Sequence, residues 1–304
     1  MSPAERIVVV VGPTASGKSD LAISLAQRLG AAEIVNADSM QLYRGMDVGT
    51  AKFAPDQRRD VPHHLLDVLD VTDPGSVAEF QRLARAAIAD CLGRDVTPIV
   101  VGGSALYVRA VIDPLDFPGT DADVRARWTA ELEERGAPAL HAVLAERDPE
   151  AAEQILPSNG RRIVRALEVG ELTGEPFVAT MPGHESVYPG LTMIGLDVPR
   201  DVLDERLERR VDQMWEAGFV QEVRGLIARG LEDGPTASRA LGYRQILAHV
   251  RGETTEDEAR AATVSGTRKF ARRQDRLLRK DPRVHWLPFD SPTLVDDAMA
   301  LVTG

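Results

Sequence analysis

The sequence predicts an α/β fold: a parallel sheet flanked by helices, with an all-helical insertion. Three observations predict it. Strand-like and helix-like segments alternate from Ile7 to Ile112. The strand-like runs are continuously apolar, as in strands covered on both faces. The first run leads through the glycine-rich loop GPTASGKS into a helix, the order of a P-loop NTPase-like sheet.

Ile7 to Val11 are consecutive β-branched aliphatics, which suits a buried parallel strand. SDLAISLAQRLG follows as a helix, with Leu21, Ala22, Leu25, Ala26 and Leu29 at helical spacing and Gly30 as its stop. EIVNADS is a second strand ending near Asn36, and MQLYRGMDVGTAKFAPDQRRDVPHHLLDVLD is mostly irregular, punctuated by Gly and Pro. Residues 76–92 form a helix with Ser76 as N-cap and Glu79 completing a capping box. TPIVVGG is a third strand, and SALYVRAVI opens another helix.

From Pro118 to Gly183 the strand signal is lost. DADVRARWTAELEERG, APALHAVLAERD, PEAAEQIL and NGRRIVRALEVGELTG are four helical patterns. The predicted organisation is a catalytic core of residues 1–117 and 184–304 and a helical insertion domain of residues 118–183. LTMIGLDV restores a buried strand, four further helical patterns follow, and VHWLPF is a late strand.

Composition narrows the function. The 304 residues are 43% hydrophobic and 27% charged, enough for a sizeable core. A net charge of −11 argues against a protein that coats nucleic acid nonspecifically, but not against a local basic patch. The single cysteine, Cys91 in AIADCLG, forms no internal disulfide and supplies no zinc cluster; a core thiol is expected. No segment reaches the roughly 18–20 apolar residues of a membrane span, and MSPAERIVVVVG is too short an apolar run for a signal peptide. A cytoplasmic monomer with no membrane partner is expected.

GPTASGKS comprises Gly12, Pro13, Thr14, Ala15, Ser16, Gly17, Lys18 and Ser19. The amides of Ala15 to Ser19 are expected to encircle a phosphate, helped by the helix N-terminus. Lys18 is expected to neutralise the terminal phosphate, and the Ser19 hydroxyl to ligate Mg²⁺. An ATPase usually places an acid at the end of another apolar strand. Here IVVGGS ends in two glycines, the nearest acid is Asp38, and the acid closing LTMIGLDV, Asp197, is followed at once by Pro199 and a helix.

GPTASGKS followed by NADSMQLYRGMDVGTAK resembles the tRNA dimethylallyltransferase (tRNA isopentenyltransferase) family. The resemblance continues through HHLLDV, VGGSALYVRAV, SNGRRIVRALEV, GFVQEVRGLIARG and SRALGYRQI, over nearly the whole chain. It implies that the loop holds the diphosphate of dimethylallyl diphosphate. The acceptor is then the N6 amine of the adenosine 3′ of the anticodon in tRNA. It also implies Asp38 as the catalytic carboxylate, with Ser104 and Lys18 as further catalytic residues, and contacts to tRNA from Asp38, Ser39, Met40, Gln41, Ser104 and Arg125. Further implied contacts come from Arg161, Arg162, Ile163, Val164 and Arg165, and from Arg239, Ala240, Leu241, Gly242, Tyr243 and Arg244.

The chemistry suits these residues. A carboxylate hydrogen-bonded to N6–H increases the amine's electron density and takes its proton; the competing role for Asp38 is a turn cap, common in Asp-Ser. Lys18, Mg²⁺ and loop amides would hold the charge developing on the leaving diphosphate, with Arg224 as a further candidate cation or an ordinary solvated arginine. Ser104 sits where a helix N-cap is expected. Tyr243 suits either base stacking or the core, with Gly242 allowing close approach of RNA.

Between Arg268 and Arg283 there are eight basic residues against two acids. On a helix, the basic positions from 268 to 280 fall in an arc of about 140°, with Phe270, Leu277 and Leu278 on the other, packed side. That stripe suits a phosphate backbone. Arg127 competes with Arg125 for the tRNA contact. Three other functions remain open: a small-molecule kinase, a noncatalytic nucleotide-gated RNA-binding protein, and an adenylate isopentenyltransferase acting on free AMP.

Overall fold

A computed structural model describes residues 6–177 and 183–304. The chain divides into two compact units, one of Met1–Pro114 with His184–Gly304, the other of Leu115–Gly183.

The first unit is built on six parallel strands: β1 (Arg6–Val11), β2 (Ala32–Asn36), β3 (His63–His64), β4 (Thr97–Gly102), β5 (Gly190–Asp197) and β6 (Val284–Pro288). Their spatial order is β3-β2-β4-β1-β5-β6. β1 is central, with Val9 in register with Val100 of β4 and with Met193 of β5. Its apolar run has a partner on each face. Ile7, Val9 and Val11 pack with residues of α2 (Val77–Gly93) and α3 (Ala105–Ile112). Val8 and Val10 pack with α1 (Lys18–Leu29) and α12 (Leu294–Thr303). The two-residue edge strand β3 lies inside the stretch expected to be irregular; its backbone pairs Ile34 with His63 and Val35 with His64.

That stretch is held by two anchors, the buried Lys52 and the half-buried Glu222. The Lys52 ammonium donates to the Tyr43 carbonyl at 2.9 Å and to Asp47 and Asp67 at 2.7 Å each. The Glu222 carboxylate accepts the amides of Asp47, Val48 and Gly49. Ser76 caps α2 through its hydroxyl, but the Glu79 side chain turns to Arg82 rather than back to the cap, so the expected box is half formed.

The remaining helices of this unit are α8 (Arg200–Glu216), α9 (Phe219–Ile227), α10 (Tyr243–Val250) and α11 (Glu256–Leu278). Tyr43, Met46, Val71, Phe219, Val223, Tyr243 and Ile246 form a core shared by the irregular stretch, α9 and α10, while Leu203 and Leu207 of α8 pack with Ala271 of α11. Tyr243 is fully buried, its ring edge-on to Phe219 and its hydroxyl 2.6 Å from Glu222, so it packs the core and does not stack on RNA. Gly242 serves the same core. Its φ is +87°, and a Cβ there would meet the Phe219 ring at 2.7 Å. The expected RNA-approach role for this glycine gives way to internal packing.

The second unit begins at Leu115 and contains α4 (Ala122–Arg135), α5 (Ala137–Arg147), α6 (Pro149–Gln154) and α7 (Gly160–Thr173). Trp128, Leu140, Leu144, Ile155, Ile163, Val164 and Leu167 make its core. Ile163 and Val164 are therefore interior residues, not contact residues for RNA. Among the described residues, no helix is long and apolar enough to cross a membrane.

Candidate active site

The carboxyl ends of β1, β2 and β4 converge on one cavity, as parallel sheets arrange their sites. It holds about 310 Å³ and is lined from the phosphate loop by Thr14, Ala15, Gly17, Lys18 and Ser19. Asn36, Asp38 and Gln41 line it beyond β2, and Arg206, Arg209, Arg210 and Gln213 line it from α8. Ile34, Ala51, Phe53, Leu66 and Val101 give it an apolar wall, and His63 completes it.

The loop is braced from within. The Thr14 amide donates to Gln274 Oε1 of α11 at 2.9 Å, and the Ser16 amide to the Pro13 carbonyl at 3.2 Å. Ser16 N–H is thus turned inward, unlike the expected cradle running without a break from Ala15 to Ser19. Gly103, beyond β4, lies beside the same glutamine: a Cβ there would meet Gln274 Nε2 at 2.5 Å and the Gly12 carbonyl at 2.9 Å. Gly103, in the glycine pair where many ATPases carry an acid, allows the loop and α11 to approach, while Gly102 makes room for Ala37.

Charge in the cavity is unbalanced. Four cations, Lys18, Arg206, Arg209 and Arg210, face two carboxylates, Asp20 and Asp38. Burial and the nearby Arg210 guanidinium lower the Lys18 pKa to about 8, against the opposing pull of Asp38. Burial also lowers the Arg210 pKa, and its Nε is buried with no protein acceptor. Two desolvated cations side by side call for an anion, and diphosphate supplies one.

Asp38 is fixed on one side and open on the other. Its Oδ1 accepts the Met40 amide at 2.9 Å, and its own amide and carbonyl are held by the Asn36 side chain at 3.0 Å each. No described residue donates to Oδ2. Asp38 is therefore a turn former and a cavity carboxylate at once. Ser39 lies near the Tyr107 hydroxyl, Met40 packs against the α9–α10 core, and the Gln41 side chain donates to the Thr50 carbonyl.

Other expected residues fall differently. Ser104 holds the N-cap position of α3, but its side chain makes no capping hydrogen bond. Arg224 is exposed on α9 and does not line the cavity. Beside Lys18, the cavity's cations come from α8, where Arg206, Arg209 and Arg210 follow i, i+3, i+4 spacing and flank the buried row of Leu203, Leu207 and Val211. That spacing, directly after a parallel strand, was the signal in the sequence that would have found them.

The expected cationic stripe on α11 is divided. Arg268, Arg272 and Arg279 pair with Glu208, Asp204 and Asp197. Lys269, Arg273, Arg276 and Lys280 remain exposed, with no acid within 4.0 Å among the described residues. Phe270 and Leu277 are 43% and 38% exposed rather than packed; the buried side is Ala271, Gln274 and Leu278.

In the helical unit, Arg125 and Arg165 both turn to the buried Glu168, at 2.7 and 2.9 Å. Arg165 also donates to the Gly119 and Pro118 carbonyls and is engaged within the unit, whereas Arg161 and Arg162 are exposed. Arg127 pairs with Glu171. Arg239 and Arg244 are exposed, Ala240 is buried and Leu241 half-buried.

Comparison with known proteins places the chain. Residues 41–281 match the family described as IPP transferase, and residues 5–67 match one described as isopentenyl transferase. A Thermobifida fusca protein named tRNA dimethylallyltransferase is 63% identical over 300 residues, covering 97% of this chain and 94% of the relative. A Streptomyces avermitilis protein of the same name is 65% identical, covering 94% and 91%. The crystal structure of a tRNA isopentenylpyrophosphate transferase from Bacillus halodurans superposes with a TM-score of 0.74 at 39% identity, covering 99% of this chain and 96% of that one.

Proposed function

We propose, for a chain that belongs to the IPP transferase family, that the cavity transfers a dimethylallyl group from dimethylallyl diphosphate to the N6 amine of the adenosine 3′ of the anticodon in tRNA, releasing diphosphate. One observation carries the reading: a single cavity joins clustered cations, an apolar wall and a carboxylate with an open oxygen. The cations suit the diphosphate, the wall of Ile34, Phe53, Leu66 and Val101 suits a five-carbon chain, and Asp38 suits the amine.

The allylic C–O bond breaks with positive charge on carbon and negative charge on the diphosphate. Lys18, Arg210 and the loop amides face the second charge, already desolvated and in place, so little reorganisation is needed as it grows. The N6 lone pair, delocalised into adenine, attacks carbon while Asp38 Oδ2 accepts the N6 proton. The Met40 amide and Asn36 keep the carboxylate aimed throughout.

Mg²⁺ fits the phosphate loop: the Ser19 hydroxyl, a hard oxygen, lines the cavity there and would hold the ion. Bound there with diphosphate oxygens, the ion would offset part of their charge.

For tRNA, the exposed row Lys269, Arg273, Arg276 and Lys280 suits a phosphate backbone. Arg239 and Arg244, and Arg161 and Arg162 of the helical unit, are further exposed cations for it. The target adenine leaves its stack to reach Asp38, as enzymes acting on a base require.

The test is incubation with Mg²⁺, labelled dimethylallyl diphosphate and unmodified tRNA, with ATP and AMP as competing substrates. Label is expected in tRNA alone. Asp38→Ala is expected to abolish transfer and leave tRNA binding intact. Label in AMP, or phosphoryl transfer from ATP, contradicts the reading.

A further inference from the structure

A second group of chemically active side chains lies apart from the cavity, where β2, the edge strand β3 and α2 meet. Glu33 of β2, His64 of β3 and Cys91 of α2 point at one another, their ligand atoms all within 4.8 Å. His64 Nε2 lies 2.7 Å from Glu33 Oε2 and 3.7 Å from Cys91 Sγ, and Cys91 Sγ lies 3.5 Å from the same Glu33 oxygen. One cysteine alone makes no zinc cluster, but here the fold adds an imidazole and a carboxylate from two other elements. His63 and His64 face opposite sides of the edge strand, so only His63 lines the cavity.

We propose that Glu33, His64 and Cys91 bind one Zn²⁺ ion, with water as the fourth ligand. The arrangement fits the metal on four counts. Thiolate, imidazole and carboxylate are zinc's ordinary donors. Zinc–ligand bonds of about 2.0–2.3 Å place tetrahedral ligand atoms about 3.4–3.6 Å apart; the two distances to sulfur already match, and the imidazole and carboxylate must separate by about 0.7 Å. An outer shell is in place. Arg94 donates to Glu33 Oε1 at 2.9 Å and to Oε2 at 2.8 Å, and is itself held by Asp90 at 2.8 Å; the ion would replace the bond to Oε2 and leave Arg94 on Oε1. Ligating carboxylates keep such partners. Access is possible on one side, because Cys91 is buried and Glu33 13% exposed, while His64 is 28% exposed.

Charge and protons balance without any redox step. In the metal-free protein the thiol is protonated, since burial and the Glu33 carboxylate raise its pKa to about 12. Zinc displaces that proton, which leaves to solvent. The ion's two positive charges then meet the thiolate and Glu33, while Arg94 and Asp90 offset each other. The bound ion ties the short edge strand to β2 and α2, on the side opposite His63.

The experiment uses the whole chain, stripped of metal with a chelator, and titrates it with Co²⁺ and then Zn²⁺. One equivalent of Co²⁺ is expected to raise a thiolate-to-cobalt charge-transfer band in the near ultraviolet. Stoichiometric Zn²⁺ is expected to bleach it, and one proton to be released per zinc. Cys91→Ala is expected to lose the band, and His64→Ala, at a partly exposed position, to weaken binding at least tenfold with circular dichroism unchanged. Asp38→Ala is expected to keep the band, which separates this site from the cavity. No band at saturating Co²⁺, or binding equal in the wild type and both ligand variants, overturns the proposal.

Discussion

The Thr14 amide donates to Gln274 Oε1 at 2.9 Å, joining the phosphate loop to the C-terminal part of α11 across 260 residues. Gln274 is buried, so this acceptor positions the loop without touching solvent. Gln274→Met, close in volume but with no acceptor, is expected to cost about 1–2 kcal/mol of stability by leaving an amide unpaired. Displacement of the loop is expected to lower kcat/KM for the donor about a hundredfold. Urea denaturation and steady-state kinetics measure the two; unchanged kinetics would separate the bond from catalysis.

Local sequence carried much of this site. Five β-branched residues, a phosphate loop and a short polar turn at Asp38 are contiguous signals, and each lies where its pattern implies. Long-range partners were not legible. Gln274 is an ordinary helix residue until the fold brings it to Thr14. Tyr243 looked equally suited to stacking or core because its partner Glu222 is remote in sequence. The α11 face was misassigned at Phe270 and Leu277 because charge pattern alone does not reveal that α8 supplies acids to Arg268 and Arg272. Beyond their spacing, the cavity's arginines were not legible because α8 reads as an ordinary charged helix, rich in both acids and arginines, until the fold turns Arg206, Arg209 and Arg210 to the cavity.

Glu222 gathers three loop amides and the Tyr243 hydroxyl. Glu222→Ala leaves all of these without their acceptor and is expected to destabilise the protein by about 3–4 kcal/mol. Tyr243→Phe removes one bond to a carboxylate and is expected to cost about 1.5–2 kcal/mol. Because Tyr243 is interior, the same variant is expected to bind tRNA as tightly as the parent; a large loss of affinity with stability unchanged would restore the stacking role.

Lys18 titrates near 8 in the protein without donor. The charged form holds the diphosphate, so kcat/KM for the donor is expected to fall as pH rises through about 8. Arg210→Ala removes a like charge and is expected to move that midpoint upward while weakening donor binding. The stability linkage has the opposite sign. Between about 8 and the ordinary lysine value of 10.5, the unfolded chain holds a proton that the folded one has lost, so Lys18 contributes stability that increases with pH. Lys18→Met is expected to remove both effects, measurable by donor kinetics and by denaturation at several pH values.

Lys269, Arg273, Arg276 and Lys280 lie along one side of α11 and just past its end, without acidic partners among the described residues. Each changed to Ala is expected to weaken tRNA binding and to lower the slope of log affinity against log salt by about one. Arg268 and Arg272, neutralised by α8, are expected to change that slope little. A filter-binding series in rising salt distinguishes the two groups, and equal effects from both would contradict the division of the helix.

Carbon, not phosphorus, is the atom that the proposed reaction attacks at the phosphate loop. Dimethylallyl diphosphate labelled with oxygen-18 at the bridging position tests it, with mass spectrometry of both products after one turnover on tRNA. Attack at carbon predicts that all the label leaves in diphosphate and none is found on the prenyl carbon. Label retained by the five-carbon fragment, with a phosphoryl group on the acceptor, would contradict it.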